Sequence, residues 1–217
     1  MARKRVAVLI SGRGSNMAAL IEAARDPSYP AEIALVLSNR PDAAGLDHAR
    51  KAGLATATVD HKGYGKDREA FERAVQDVLT QHAIDLVCLA GFMRLLTPWF
   101  IGQWADRLIN IHPALLPAFK GLDTHARALA AGVRIHGATV HFVVPEMDSG
   151  PIIAQAAVPV HDGDTEQTLA ARVLAAEHRL YPLALRLVAS GQVTVDGDRC
   201  RIAAADDRDW TAVAPAS

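Results

Sequence analysis

Apolar positions recur along this chain in two rhythms. Short, nearly continuous apolar runs stand at residues 5–10 (RVAVLI), 34–39 (ALVLSN), 85–92 (DLVCLAGF) and 108–111 (LINI). Runs of that length with little polar alternation predict strands covered on both faces. Between them, helical spacing is expected at residues 17–24, 41–52 and 67–82, with a short strand at 55–59, a flexible loop at 61–66 (HKGYGK) and a turn at 98–104. Strands alternating with helices imply an α/β fold with a mostly parallel central sheet. Further on, residues 115–129 read as a loop running into a helix, 137–143 (GATVHFV) as an alternating strand, 145–150 as a turn and 151–160 as another strand. Asp164 or Thr165 then serves as N-cap to a long helix, whose positions Leu169, Val173, Ala176, Leu180, Ala184 and Leu187 form one apolar face. Pro182 is expected to kink it. Residues 193–202 read as a hairpin around Asp196-Gly197, and the final AVAPAS as frayed. No repeat or linker interrupts the pattern, so residues 1–217 read as one domain.

Composition narrows the class. Half of the 217 residues are hydrophobic and mean hydropathy is +0.10, enough for a substantial core. A net charge of −1 without a basic block argues against nucleic-acid binding. The opening MARKRVAVLI is a poor signal peptide, and no apolar run is long enough to span a membrane, so a cytoplasmic protein is expected. Cys88 and Cys200 form no CxxC pair, and Cys88 reads as a buried, reduced thiol.

Two stretches carry candidate chemistry. SGRGSN at 11–16 follows the first strand and precedes a helix, an arrangement whose free N–H groups and helix dipole suit an anion. A dinucleotide is disfavoured, because Met17 stands where that fingerprint needs glycine or alanine and no acidic residue ends the second strand. A single phosphate fits better; a tight turn without a ligand is the alternative. The second stretch is LINIHPALLP. Asn110 and His112 are two apart on a strand that Pro113 must end, so both point to one side at the carboxyl end, where α/β sheets bind ligands. A neutral imidazole takes a proton from an attacking amine, and a carboxylate such as Asp148 favours its charged form. An amide aimed at a carbonyl stabilises a tetrahedral oxyanion by about 3 kcal/mol. Taken singly, each of the three also fits a plain turn or backbone contact. No metal site is expected: His136 and His141 fall on opposite strand faces and lack acidic or thiol partners at ligand spacing. Ser11 and Ser15 lack a base and a GxSxG setting, which disfavours a covalent serine route.

SGRGSN, GFMRLL at 91–96, NIHPALLPAFKGLDTH at 110–125, HGATVHFV at 136–143 and the DSGP within 148–151 together resemble the phosphoribosylglycinamide formyltransferases, folate-dependent enzymes of purine biosynthesis. The likeness covers roughly residues 5–195. It implies a Rossmann-like formyltransferase fold and formyl transfer from 10-formyltetrahydrofolate, as co-substrate, to the amine of 5′-phosphoribosylglycinamide, without a metal. Carried over by position, it implies a catalytic trio of Asn110, His112 and Asp148. Gly14, Ser15, Asn16 and Glu177 would bind the phosphoribosylglycinamide. Arg68, Met93, Arg94, Leu95, Leu96, Asn110, Val144, Pro145, Glu146, Met147 and Asp148 would bind the folate. From its spacing alone, Glu177 would be read as a solvated helix residue. The likeness divides the domain into a phosphate-binding half to about residue 110, a folate-binding and catalytic half at about 111–195, and a tail at 196–217 without assigned role. Small-molecule partners are implied, with no nucleic acid or membrane, in a monomer or homodimer.

Three other readings share parts of this pattern. A formyltetrahydrofolate hydrolase shares the glycine turn and trio, but would be expected to carry an N-terminal regulatory domain before the first strand. A methionyl-tRNA formyltransferase would need an RNA-binding domain and more positive charge. A non-catalytic nucleotide-binding module would have no chemical need for all three of Asn110, His112 and Asp148.

Overall fold

The structure, a computed structural model, describes residues 2–203, so the expected fraying of AVAPAS lies outside the described residues. Its central sheet has seven strands in the order β3-β2-β1-β4-β5-β6-β7: β1 Lys4–Ile10, β2 Ala31–Ser38, β3 Thr56–Thr58, β4 Leu86–Leu89, β5 Leu108–His112, β6 Ile135–Phe142 and β7 Ile152–Pro159. Pairing from β3 through β5 is parallel, while β6 and β7 are antiparallel. This is the mostly parallel α/β sheet expected from the alternating runs. The chain divides into two compact units, one holding the residues up to Asn110 with Val143–Pro145, the other Ile111–Phe142 with the residues from Glu146 onward.

In the first unit the helices are α1 Ser15–Ala23, α2 Ala44–Lys51, α3 Arg68–Gln81 and α4 Pro98–Gln103. The core forms where Phe71, Val75 and Leu79, four residues apart on α3, pack with Leu9, Leu35, Leu37 and Leu89 of the strands. Removing the Phe71 ring would cost about 3–5 kcal/mol. Two expected elements are corrected. Residues 61–66 are not simply a loop: Asp60 accepts the Lys62 N–H and starts a 3-10 helix at His61–Tyr64. The expected turn at 98–104 is helical, because Thr97 caps it and Pro98 supplies a pre-set first position. Pairing bounds differ too: β4 stops at Leu89, since Gly91 leaves the strand with φ +71, and α2 starts at Ala44 rather than 41.

In the second unit, α5 Thr124–Ala130 and α6 Glu166–Ala189 accompany β6, β7 and the hairpin β8 Val193–Asp196, β9 Arg199–Ile202. All six apolar positions expected on the long helix are buried, and α6 packs on β6 and β7. Thr165 is its cap, in a reciprocal capping box with Thr168, and the helix continues unbroken through Pro182. The hairpin turn is one residue later than expected, because Asp196 pairs with Arg199 and leaves Gly197-Asp198 as the loop. On β6, Gly137 is required by close approach: a Cβ there would lie 1.9 Å from the Ala156 carbonyl oxygen on β7.

Candidate functional site

The first unit contains the glycine turn. β1 ends at Ile10, and Gly14 takes φ +73 as the N-cap of α1, a conformation costly for side chains with a Cβ. An added Cβ would also meet Met17 Cε at 3.0 Å. Gly45 at the start of α2 donates its N–H to Gly12 O at 3.0 Å, which holds the turn from behind. No side chain caps α1, and the positive end of the helix dipole at its start favours an anion. Ser15 is exposed and Asn16 half-buried there. Met17, the residue that breaks the dinucleotide fingerprint, is fully buried.

The same unit holds several residues expected to meet folate. Arg68 is exposed at the first position of α3. In residues 93–96, Leu96 packs partly against the core, as an ordinary loop leucine would. Met93 and Leu95 do not: they are 64% and 60% exposed, large apolar side chains presented to solvent. Arg94 and Val144 are half-buried and Pro145 is exposed. Asn110, half-buried on β5, is in register with Leu89.

The second unit brings His112 and Asp148 together. β5 ends at His112; Pro113 then turns the chain, and Thr139 of β6 fixes that turn by donating to Ala114 O at 2.7 Å and accepting from Leu116 N at 3.0 Å. Gln155 of β7 donates to the same hydroxyl and to Leu116 O, both at 2.9 Å. The chain continues through a cis Leu116–Pro117 bond to Phe119, which has φ +55. The Phe119 carbonyl meets His112 Nε2 at 3.0 Å, and two residues on the Gly121 N–H donates to Asp148 Oδ2 at 2.8 Å. That oxygen lies 3.5 Å from His112 Nδ1. A carbonyl only accepts, so Nε2 carries the hydrogen of that contact, and Nδ1 faces the carboxylate. Lys120 donates to Ser149 Oγ at 2.5 Å and stands 3.5 Å from Glu146, tethering the loop that carries Asp148.

A second imidazole was missed by sequence reasoning. His141 Nε2 lies 3.9 Å from Asp148 Oδ1, while its Nδ1 is 2.8 Å from the Phe142 carbonyl. Burial pushes its pKa below the usual histidine value, against the opposing pull of the Phe142 carbonyl and Asp148. Asp148 therefore faces a second ring whose burial favours the neutral form. Residue spacing carries no sign of this approach, because His141 stands next to the end of β6 while Asp148 lies on the loop that follows it. His136 is also buried; burial, then neighbouring His125, lowers its pKa to about 4. Glu146 and Met147 are exposed beside Asp148. Glu177 is buried on α6, 6% exposed, which corrects the solvated position that helix spacing alone would assign. Among the described residues, no group of three or more His, Cys, Asp or Glu side chains could hold a metal ion. Nor is any described helix long and apolar enough to cross a membrane.

Comparison with known proteins places these features in context. Residues 4–185 match the family model described as formyl transferase. The phosphoribosylglycinamide formyltransferase of Escherichia coli (strain K12) is 46% identical over 188 residues, 87% of this chain and 88% of that protein. The trifunctional purine biosynthetic protein adenosine-3 of Bos taurus is 52% identical over 92% of this chain, which spans only 20% of that longer relative. Among solved structures, glycinamide ribonucleotide transformylase 1 from Symbiobacterium toebii superimposes with a TM-score of 0.90 at 46% identity, covering 93% of this chain and 95% of that one.

Proposed function

The chain belongs to the formyl transferase family, and we propose that it moves the formyl group of 10-formyltetrahydrofolate to the primary amine of 5′-phosphoribosylglycinamide, as a step in purine biosynthesis. The observation that carries this reading is the buried His112–Asp148 contact, with Asn110 two residues earlier on the same strand. The amine nitrogen attacks the formyl carbon. The resulting oxyanion is stabilised by the Asn110 amide and by protonated His112. Collapse breaks the bond from that carbon to N10 of the folate. The attacking nitrogen loses a proton and N10 gains one, through water held at Asp148. No covalent enzyme intermediate is needed.

In this reading, Gly14, Ser15 and Asn16 hold the substrate phosphate at the start of α1, and Glu177 contacts the glycinamide. The exposed Met93 and Leu95, with Arg94, Leu96 and Arg68, meet the folate co-substrate, and residues 144–148 contribute a further folate-binding loop. Exposed apolar side chains suit a flat ring that would cover them. Residues to about 110 act as a phosphate-binding half, and about 111–195 as a folate-binding and catalytic half.

One assay tests the reaction. The protein is mixed with 10-formyltetrahydrofolate, with and without phosphoribosylglycinamide, and tetrahydrofolate release is followed. Release that requires the amine is the expected result. Equal release without it would point to a hydrolase, and none under either condition to a binding module.

A further inference from the structure

Residues 93–97, with Met93 and Leu95 exposed, belong to neither helix nor strand, yet buried side chains hold the segment at both ends. At its start, Ser11 donates its backbone N–H to Gly91 O at 3.1 Å, and its hydroxyl accepts the Met93 N–H at 2.8 Å. The same hydroxyl donates to Asn39 Oδ1 at 2.6 Å, so its orientation is set from behind. Ser11 and Asn39 are both buried.

At the far end stands Glu72, 1% exposed on the face of α3 that also buries Phe71, Val75 and Leu79. A carboxylate in such surroundings is expensive unless its oxygens are satisfied. One oxygen accepts the Thr97 N–H at 2.8 Å, and the other accepts the Thr97 hydroxyl. Thr97 in turn caps α4. Both Glu72 bonds thus go to one residue at the end of the exposed segment. A cap for α4 needs only Thr97, so the buried carboxylate is in excess of what that helix requires. Between the anchors lie Met93 and Leu95, kept exposed on backbone that is fixed on either side.

We propose that Ser11 and Glu72 are positioning residues for the folate co-substrate, holding residues 93–97 in their binding conformation before the ligand arrives. Ordering a loop on binding weakens affinity, and ordering it in advance removes that cost. This inference rests on the assignment of residues 93–96 to folate made above.

The test compares Ser11→Ala, Glu72→Ala and Thr97→Val with wild type in steady-state kinetics, and follows amide hydrogen exchange at residues 93–97. Loss of these anchoring bonds should raise KM for 10-formyltetrahydrofolate about tenfold, with KM for phosphoribosylglycinamide within about twofold. Exchange at 93–97 should quicken in parallel. Glu72→Gln, which still offers an acceptor and a donor to Thr97, should recover most of the folate KM. If Glu72→Ala fails to fold, Thr97→Val, which removes the hydroxyl that bonds Glu72 and caps α4 but keeps the Thr97 N–H bond to Glu72, carries the same comparison. Faster exchange with an unchanged folate KM, or an equal rise in both KM values, would overturn the proposal. Wild-type turnover is read first: its absence overturns the formyl-transfer reading and this inference with it, whereas normal wild-type turnover with unaltered folate KM in the variants overturns this inference alone.

Discussion

The glycine turn of the first unit and the His112–Asp148 pair of the second are both proposed to meet substrate, but they are assembled from very different lengths of chain. The turn uses residues 11–17, with main-chain N–H groups as its working parts. The pair joins residues 36 apart in the chain and depends on the backbone of Phe119 and Gly121, which presents a carbonyl to His112 and an N–H to Asp148. Anion binding at a helix start needs only local geometry, because the groups that do it are present in every residue. Proton transfer needs particular side chains at particular distances, and no local rule supplies those.

The largest effect is expected at Asp148. Asp148→Asn should keep the fold, because Asn Oδ1 can still accept from the Gly121 N–H, while kcat falls on the order of 10²-fold or more. KM for the amine substrate should barely move. Turnover near the wild-type rate would remove Asp148 from the mechanism.

The opposite signature is expected at the turn. Gly14→Val forces a β-branched residue to φ +73, a strain of about 1–3 kcal/mol, and crowds Met17. KM for phosphoribosylglycinamide should rise roughly tenfold or more, with kcat at saturation changed less. If kcat falls while KM holds, the turn does not bind substrate.

Acid sharpens the contrast. Burial lowers the pKa of His125, His136 and His141, all in the second unit. For His136 the folded value is about 4 against an ordinary 6.5, so below pH 6.5 the unfolded chain binds more protons than the folded one. Stability from this group is complete above 6.5 and is lost as pH falls towards 4, with a slope of up to about 1.4 kcal/mol per pH unit. His136→Phe should flatten that part of the curve in chemical denaturation between pH 7 and 4. A variant curve parallel to the wild type would assign the acid sensitivity elsewhere.

The smallest effect is local again. Thr165→Ala removes the cap of α6 and should cost about 1 kcal/mol by the same denaturation measurement, with kinetics unchanged. A change in KM for phosphoribosylglycinamide would show that the cap also steadies Glu177 on the same helix.

Strands buried on both faces, the apolar face of α6 and the Gly14 turn were legible because each is written in neighbouring residues by periodicity, capping or backbone freedom. Asn110 and His112 were legible as a pair for the same reason, being two apart on one strand. The resemblance assigned Asp148 its partner, and residue spacing had no means to do so. Helix spacing put Glu177 in solvent because a single charged residue does not alter a periodic pattern; packing in the second unit buries it. His141 escaped because its approach to Asp148 depends on the path of the loop after β6, which no residue spacing records. The roles of Phe119 and Gly121 escaped because they act through carbonyl and N–H groups that every residue type shares. By itself, then, the sequence determined the elements, the glycine turn and a short list of candidate reactive side chains. Tertiary structure decided which of them meet, since distances between residues remote in the chain follow from packing and pairing rather than from local conformation.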